Sequence, residues 1–345
     1  MFEIKYNSLD KIIHKLALSN RSIINLLFKI KKFFFSKKKI IDEKNYFITG
    51  LARSGTTQLL NIFHNTGKFS SFTYSDMPFI FSPNIWNKFR SVFKNKIMEK
   101  TERAHRDGIK IDLNSPEALE EPIWMYLKEN KYIYNNYIKN HDLSDKDANF
   151  YKQTINFIKI KYQKERYLSK NNFNILRLKS LLEFFPESYF FIIFRNPLEQ
   201  SYSLHKQHIN FIKIQKENKF ILEYMNLLGH FDFGLNHKYY SFDNDSSAEI
   251  NPSSLNYWLK IWVDVYKYAL KFKDNKNIHF ICYEQLSERK EKYFKKFITN
   301  DEDIINKINF KDFKNKNKNV EKSSFDKILL DESLTLYETL KKYEN

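Results

Sequence analysis

Short apolar runs alternate along the chain with longer stretches whose apolar residues recur every three or four positions. Residues 45–50 carry the pattern of a buried strand, and Thr57 to His64 follow with helical spacing. "SSFTY", residues 70–74, reads as a second strand. Residues 84–140 read as mainly helical, broken by the polar loop "RAHRDGIKIDLNSPE". In "LNSPEALEEPIWMYL", Ser115 is the N-cap candidate, Pro116 fits the first turn, and acids crowd the start. Residues 150–168 read as another helix. "NFNILRLKS" and "YFFIIFRNP" read as strands, joined by a short helix and an "FPES" turn. "NPLEQSYSLHKQ" opens a helix, "NYWLKIWVDVYKYALKF" is amphipathic, "IHFICYEQL" is a strand, and a last helix runs near Leu329 to Tyr343. No internal repeat is visible.

Nearly all-apolar strands alternating with helices belong to a parallel sheet covered on both faces. The predicted fold class is therefore α/β: a three-layer sandwich around a central parallel sheet, of P-loop type. Ligands of such sheets bind beyond the carboxyl ends of the strands. The expected organisation is a basic N-terminal helical segment, 1–44, then one α/β domain, 45–345, with a helical insertion around 84–168.

Composition changes this picture little. The abundance of Lys, Asn, Ile, Phe and Tyr reads as a bias of the coding sequence. One cysteine, Cys282, excludes intramolecular disulfides and a cysteine-cluster zinc site, and fits a reducing, cytoplasmic compartment. No apolar run approaches a membrane-spanning length, and the N-terminus lacks the pattern of a signal peptide. The net charge of +17 is uneven, because residues 1–44 hold eleven Lys/Arg against four Asp/Glu. Lysines there interleave with apolar residues in "LLFKIKKFFFSKKKII". Two readings stand: a basic amphipathic helix touching an anionic membrane or partner, or a helix packed on the domain of a lysine-biased protein. The second is favoured. Nucleic acid is not the expected partner; a basic surface also suits a doubly anionic nucleotide.

The chemistry concentrates in "YFITGLARSGTTQLL". Gly50 and Gly55 have the spacing of a phosphate loop, whose inward N–H groups and following helix N-terminus hold an anion. A nucleoside-triphosphate loop continues with Lys then Ser/Thr. Here Thr56 and Thr57 follow, and the cation, Arg53, lies inside the loop. A phosphate held by N–H, hydroxyl and guanidinium groups without an obligatory metal is the expectation.

"RSGTT" after a strand resembles the phosphosulfate-binding loop of the sulfotransferases that use 3′-phosphoadenosine 5′-phosphosulfate. "FIIFRNPLEQSYSLHKQ" resembles their 3′-phosphate segment, with Arg195 at a strand end and Ser203 eight residues on. "IHFICYEQL" resembles a later family strand, which makes Tyr283 a nucleotide-contact candidate, although Gln285 replaces the usual acid. Together these look closest to the carbohydrate and tyrosylprotein branch. The resemblance implies that Arg53, Ser54, Gly55, Thr56, Thr57, Arg195, Ser203 and Tyr283 bind the donor. Arg53 would face the oxygen beside the sulfonate. Lys179, in "ILRLKS", resembles the lysine that reaches the sulfonate, although Leu181 stands where the family has proline. No metal is expected.

The base is open between two residues. Asp76, in "TYSDMPF", lies twenty-three residues past Arg53, near where the tyrosylprotein branch has a Glu; its plain alternative is a turn or helix cap. His105 sits in a stretch rich in acids and has the right intrinsic pKa. Glu117 and Glu121 are candidates to bind an acceptor hydroxyl. "LLGHFDFGLNHKYY" offers His230, Asp232 and His237 for an acceptor site or lid, without an evident mechanism.

The resemblance implies sulfonate transfer to a hydroxyl on a carbohydrate or glycolipid, in the cytoplasm or at a membrane surface. The competing readings are a P-loop kinase or NTPase, and a non-catalytic basic protein bound to membrane or nucleic acid, whose binding would weaken with salt and ignore the donor.

Overall fold

The computed structural model describes residues 8–35, 44–90, 100–102, 108–242, 251–297, 302–309 and 320–344. In chain order, α1 (Ser8–Ser19) and α2 (Arg21–Phe35) precede β1 (Tyr46–Thr49), α3 (Thr56–Asn65) and β2 (Phe69–Ser70). A 3-10 turn (Tyr74–Asp76) and α4 (Pro83–Arg90) lead to a small hairpin, β3 (Thr101–Glu102) and β4 (Lys110–Ile111). Then come α5 (Glu121–Leu127), β5 (Tyr137–Lys139), α6 (Asp145–Tyr162), β6 (Arg166–Lys170), α7 (Leu178–Phe184) and β7 (Tyr189–Phe194). The rest comprises α8 (Pro197–Glu217), α9 (Lys219–Leu227), β8 (Tyr239–Ser241), α10 (Leu255–Leu270), β9 (Ile278–Cys282), α11 (Tyr283–Phe297), α12 (Glu302–Ile305) and α13 (Lys327–Lys342).

The main sheet has the order β2-β6-β1-β7-β9, with every neighbouring pair parallel. Alternation along each strand builds two cores. Phe47, Phe190, Ile192 and Phe194 face one side, with α6, α8, α10 and α13. Tyr46, Ile48, Phe191 and Ile193 face the other, with α3 and α11. Both faces are covered, as the apolar strands predict, and the layers number three. The register pairs Ile48 with Lys170, Thr49 with Ile192 and Phe194 with Cys282, so the carboxyl ends of four strands lie side by side.

Three expectations are corrected. The strand expected at "NFNILRLKS" is a 3-10 turn (Asn172–Arg177) running into α7; the strand lies earlier, at β6, within residues read partly as helix. Asn171 accepts a hydrogen bond from the Phe173 amide at 3.0 Å and turns the chain there. A short apolar run does not by itself distinguish strand from helix. The described residues between 84 and 140 are mostly loop and short strand rather than helix. Ser115 caps no helix: its hydroxyl accepts from the Asp112 amide and donates to the Asp112 carboxylate, each at 2.9 Å, closing a local turn. The helix starts later, at Glu121, with Pro122 in its first turn. Finally, "SSFTY" contributes only Ser70 to β2, and Thr73 bends the chain into the 3-10 turn.

Candidate active site

The loop between β1 and α3 folds as a cradle because three of its residues take positive φ: Gly50 at 130°, Arg53 at 69° and Gly55 at 106°. A Cβ at Gly50 would lie 2.5 Å from the Ile193 carbonyl oxygen, so β7 can approach only a glycine. Gly50→Ala should lower unfolding stability by about 1–3 kcal/mol, read from a denaturant midpoint; an unchanged midpoint would refute this packing argument. Gly55 caps α3 without a side chain to occupy the helix's first amides. A Cβ there would meet the Tyr283 ring at 2.5 Å. From outside, Gln200 Nε2 donates to the Leu51 and Ala52 carbonyls at 3.2 and 3.0 Å. Those carbonyls are thus held away from the cradle.

The two sequence motifs expected to hold phosphate meet. Arg53 Nε donates to Ser203 Oγ at 3.1 Å, across 150 residues of sequence. Arg195, at the end of β7, is set from three sides. Its NH2 group donates to Glu199 at 2.5 Å, its Nε lies 3.9 Å from Glu284, and its guanidinium sits 4.9 Å from the centre of the Tyr283 ring. Asn196 opens α8 by accepting from the Leu198 and Glu199 amides, with Pro197 in the first turn. The strand end, the cap and the helix therefore place Arg195 and Ser203 as one unit. Thr56 directs its hydroxyl to Asn172 Oδ1 at 3.4 Å, and Ser54 is fully buried. Thr57 lies half-buried in the first turn of α3. The eight residues expected to bind the donor thus gather around the ends of β1, β7 and β9.

The acceptor side departs more from expectation. Asp76 is fully buried: it accepts from the Thr73 amide at 2.8 Å and the Tyr162 hydroxyl at 2.9 Å, and pairs with Lys161. It caps the 3-10 turn and holds the end of α6, which is the architectural alternative to a base. His105 lies outside the described residues. Lys179 does not end a strand: it occupies the first turn of α7, 68% exposed, with Asp142 at 4.0 Å. The lysine at the strand end is Lys170, beside Ile48 of β1 and only 9% exposed.

Of the acids, Glu121 is committed to Arg177 through both guanidinium NH2 groups, at 2.8 and 3.0 Å, and to Tyr132 and Asn171. Glu120 accepts from Tyr151, Tyr167 and Ser169, and burial raises its pKa. Glu117 is half-buried and accepts from the Tyr74 hydroxyl at 2.7 Å.

The segment after α9 comes to the same strand ends. Asp232 accepts from Asn172 Nδ2 at 3.2 Å and from the Tyr240 hydroxyl at 3.0 Å. Asn172 thus links Thr56 of the cradle to Asp232. Gly229 has φ +67°, and a Cβ there would meet the Glu121 side chain at 2.6 Å, so the chain rests directly on the Glu121–Arg177 pair. His230 follows, partly exposed, within electrostatic reach of Lys170, Glu117, Asp232 and Glu121. Burial lowers its pKa and Lys170 adds to the effect, while the three carboxylates oppose it. His237 does not face this site; it anchors the segment through the Phe231 carbonyl at 3.1 Å and the Tyr257 hydroxyl at 2.8 Å.

Residues 46–231, more than half of the chain, match the family described as "Sulfotransferase family". The chain belongs to that family. It is a sulfotransferase enzyme. Among solved structures it is similar to the sulfotransferase STF1 of Mycobacterium tuberculosis H37Rv, at 11% identity and TM-score 0.43, over 83% of this chain and 74% of that one. STF9 of Mycobacterium avium shares 9% identity, with TM-score 0.46 over 87% and 76%. A sulfotransferase of Alicyclobacillus acidocaldarius shares 10%, with TM-score 0.39 over 88% and 100%. At those scores the likenesses carry no argument of their own. No curated protein matches the chain significantly.

This sulfotransferase holds several site residues that its sequence did not expose. Lys170 was hidden because the helix reading of 150–168 ran into β6 and left no strand there; the run "RYLSK" between polar flanks was its only signal. Asn172 and Gln200 act by bridging distant segments, and no local pattern marks that. Among the described residues, no group of three His, Cys, Asp or Glu is placed to hold a metal ion.

Proposed function

We propose that this sulfotransferase carries a sulfonate from 3′-phosphoadenosine 5′-phosphosulfate to a hydroxyl of a carbohydrate or glycolipid, in the manner of the carbohydrate branch. The observation that carries the donor reading is the Arg53–Ser203 hydrogen bond, because it brings a 5′-phosphate cradle and a 3′-phosphate segment within one nucleotide's length. The donor set fits a nucleotide phosphorylated at both ends. The cradle amides with Thr56 and Thr57 take the 5′ side, while Arg195 and Ser203 take the 3′ side. The Tyr283 ring, under Arg195, closes the wall between them.

In the reaction the acceptor oxygen forms a bond to sulfur, the bond from sulfur to the bisphosphate oxygen breaks, and the acceptor proton passes to a base. Arg53 stabilises the charge growing on the leaving oxygen. Lys170 takes the sulfonate-facing role that the family pattern suggested for Lys179. His230 accepts the proton: its lowered pKa keeps it neutral near pH 7, and it is the partly exposed histidine beside Lys170. Glu117 and Asp232 orient the acceptor.

A kinase or NTPase reading would need a cation where Thr56 turns towards Asn172. Calorimetry separates the two. Adenosine 3′,5′-bisphosphate should bind at least about tenfold more tightly than ATP–Mg²⁺, a difference of roughly 1.4 kcal/mol; the reverse order would sink the donor assignment. Arg195→Ala should weaken the bisphosphate by about 10-fold to 100-fold and spare adenosine 5′-monophosphate. Equal weakening of both nucleotides would remove Arg195 from the 3′-phosphate.

A further inference from the structure

The N-terminal helices carry an outward face that the fold leaves uncovered. On α2, Leu26, Ile30 and Phe33 fall at i, i+4 and i+7 and form one stripe; Leu26 is 59% and Phe33 82% exposed. Phe34 is exposed beside them, as are Ile12 and Leu16, four residues apart on α1. These six account for most of the large apolar side chains exposed among the described residues.

The stripe cannot turn inward, because the opposite face is anchored. Lys31, fully buried, donates to the Phe81 carbonyl at 2.6 Å, with its ammonium 4.7 and 4.3 Å from the Phe28 and Phe157 ring centres. Phe28 stacks on Phe150 at 4.0 Å, and Ile24 is buried. α1 is likewise fixed to α9, through Lys15 to Glu223 at 3.0 Å and Lys11 over Phe220. The packed helix and the amphipathic surface helix, set against each other on sequence grounds, are therefore one structure with two faces.

We propose that the outer face of α1 and α2 seats the protein on an anionic bilayer surface. Residues 8–35 hold six Lys/Arg against one acid, Asp10, and Lys29 and Lys32 lie exposed on one flank of the apolar stripe. That pairing of apolar ridge and cationic flank is complementary to acyl chains beneath anionic headgroups. A second copy of the chain would bring Lys29 and Lys32 against the same cationic flank, so a self-paired interface is disfavoured. Among the described residues no helix is long and apolar enough to cross a membrane, so the contact lies in the interface plane.

Vesicle flotation with the full chain tests it. Vesicles of phosphatidylglycerol with phosphatidylcholine should carry the protein up, and phosphatidylcholine alone should carry at least about tenfold less. Lys29→Gln with Lys32→Gln should weaken binding to the anionic vesicles by about thirtyfold. Leu26→Ser, Ile30→Ser and Phe33→Ser together should abolish it, with an unchanged thermal midpoint because all three are solvent-facing. Full binding by the serine variant, or equal binding to both vesicles, overturns the proposal. So does a dimer in sedimentation velocity that the same three serines dissolve, since a second copy would then cover the face.

Discussion

Arg53→Ala should lower sulfonate transfer by about 10²–10³-fold while leaving the fold intact. The residue is held in the left-handed region, φ 69°, by the loop around it, and its Nε is fixed on Ser203 at 3.1 Å. Preorganisation of that kind is what makes one donor count in a transition state, because no reorganisation is needed as charge develops. Arg53→Gly separates chemistry from structure. Glycine adopts this φ without strain, so the variant should match or exceed the parent's stability and still lose activity. Arg53→Lys keeps the charge but has no planar fork with which to hold Ser203, and should fall between. Donor hydrolysis or transfer to an identified acceptor gives the rate. A rate for Arg53→Ala within threefold of the parent would remove Arg53 from the charge-stabilising role.

The second large effect concerns the base. His230→Asn should reduce turnover by about 10²–10⁴-fold, with bisphosphate affinity unchanged. Burial and Lys170 hold the His230 pKa below the ordinary value of 6.5, against the pull of Glu117, Asp232 and Glu121. The base is active when neutral, so the acid limb of the parent's pH profile should lie below that value and disappear in the variant. Asp76→Asn gives the contrast. Its carboxylate is buried on Lys161, and removing one partner of such a pair costs about 3–5 kcal/mol. It should therefore lower the melting temperature and keep the pH profile. If Asp76→Asn instead abolished turnover at an unchanged melting temperature, the proton would belong to Asp76.

The donor half of the site was legible in the sequence because its signals are local. A loop between strand and helix, and an Arg-Asn-Pro step at a strand end, are each recognisable within a few residues. That the segments of Arg53, Arg195 and Ser203 would meet could be expected before any coordinates, and the Arg53–Ser203 hydrogen bond joins them. The acceptor half is assembled by tertiary structure. Lys170 with Asn172, Glu117 and His230 converge from three segments, and nothing in the spacing of one segment predicts another. Asp76 shows the limit from the other side. Its distance from Arg53 fits a base, but burial and three partners give it a cap's work, and burial is not written in a seven-residue motif. The strand at β6 was lost for a simpler reason: "RYLSK" is five residues long, and Ser169 and Lys170 are polar residues buried at its carboxyl end.

One side chain reports on the whole donor half. The chain has four tryptophans, and Trp262 hydrogen-bonds twice to the segment that carries Arg195 and reaches the cradle through Gln200. Its indole N–H is shared between the Arg195 carbonyl at 3.2 Å and Gln200 Oε1 at 3.0 Å, and Gln200 in turn grips the cradle. Any shift of either motif on nucleotide binding changes the polar surroundings of a fully buried fluorophore. If the proposed donor binds between these segments, its occupancy should be readable by intrinsic emission without a label.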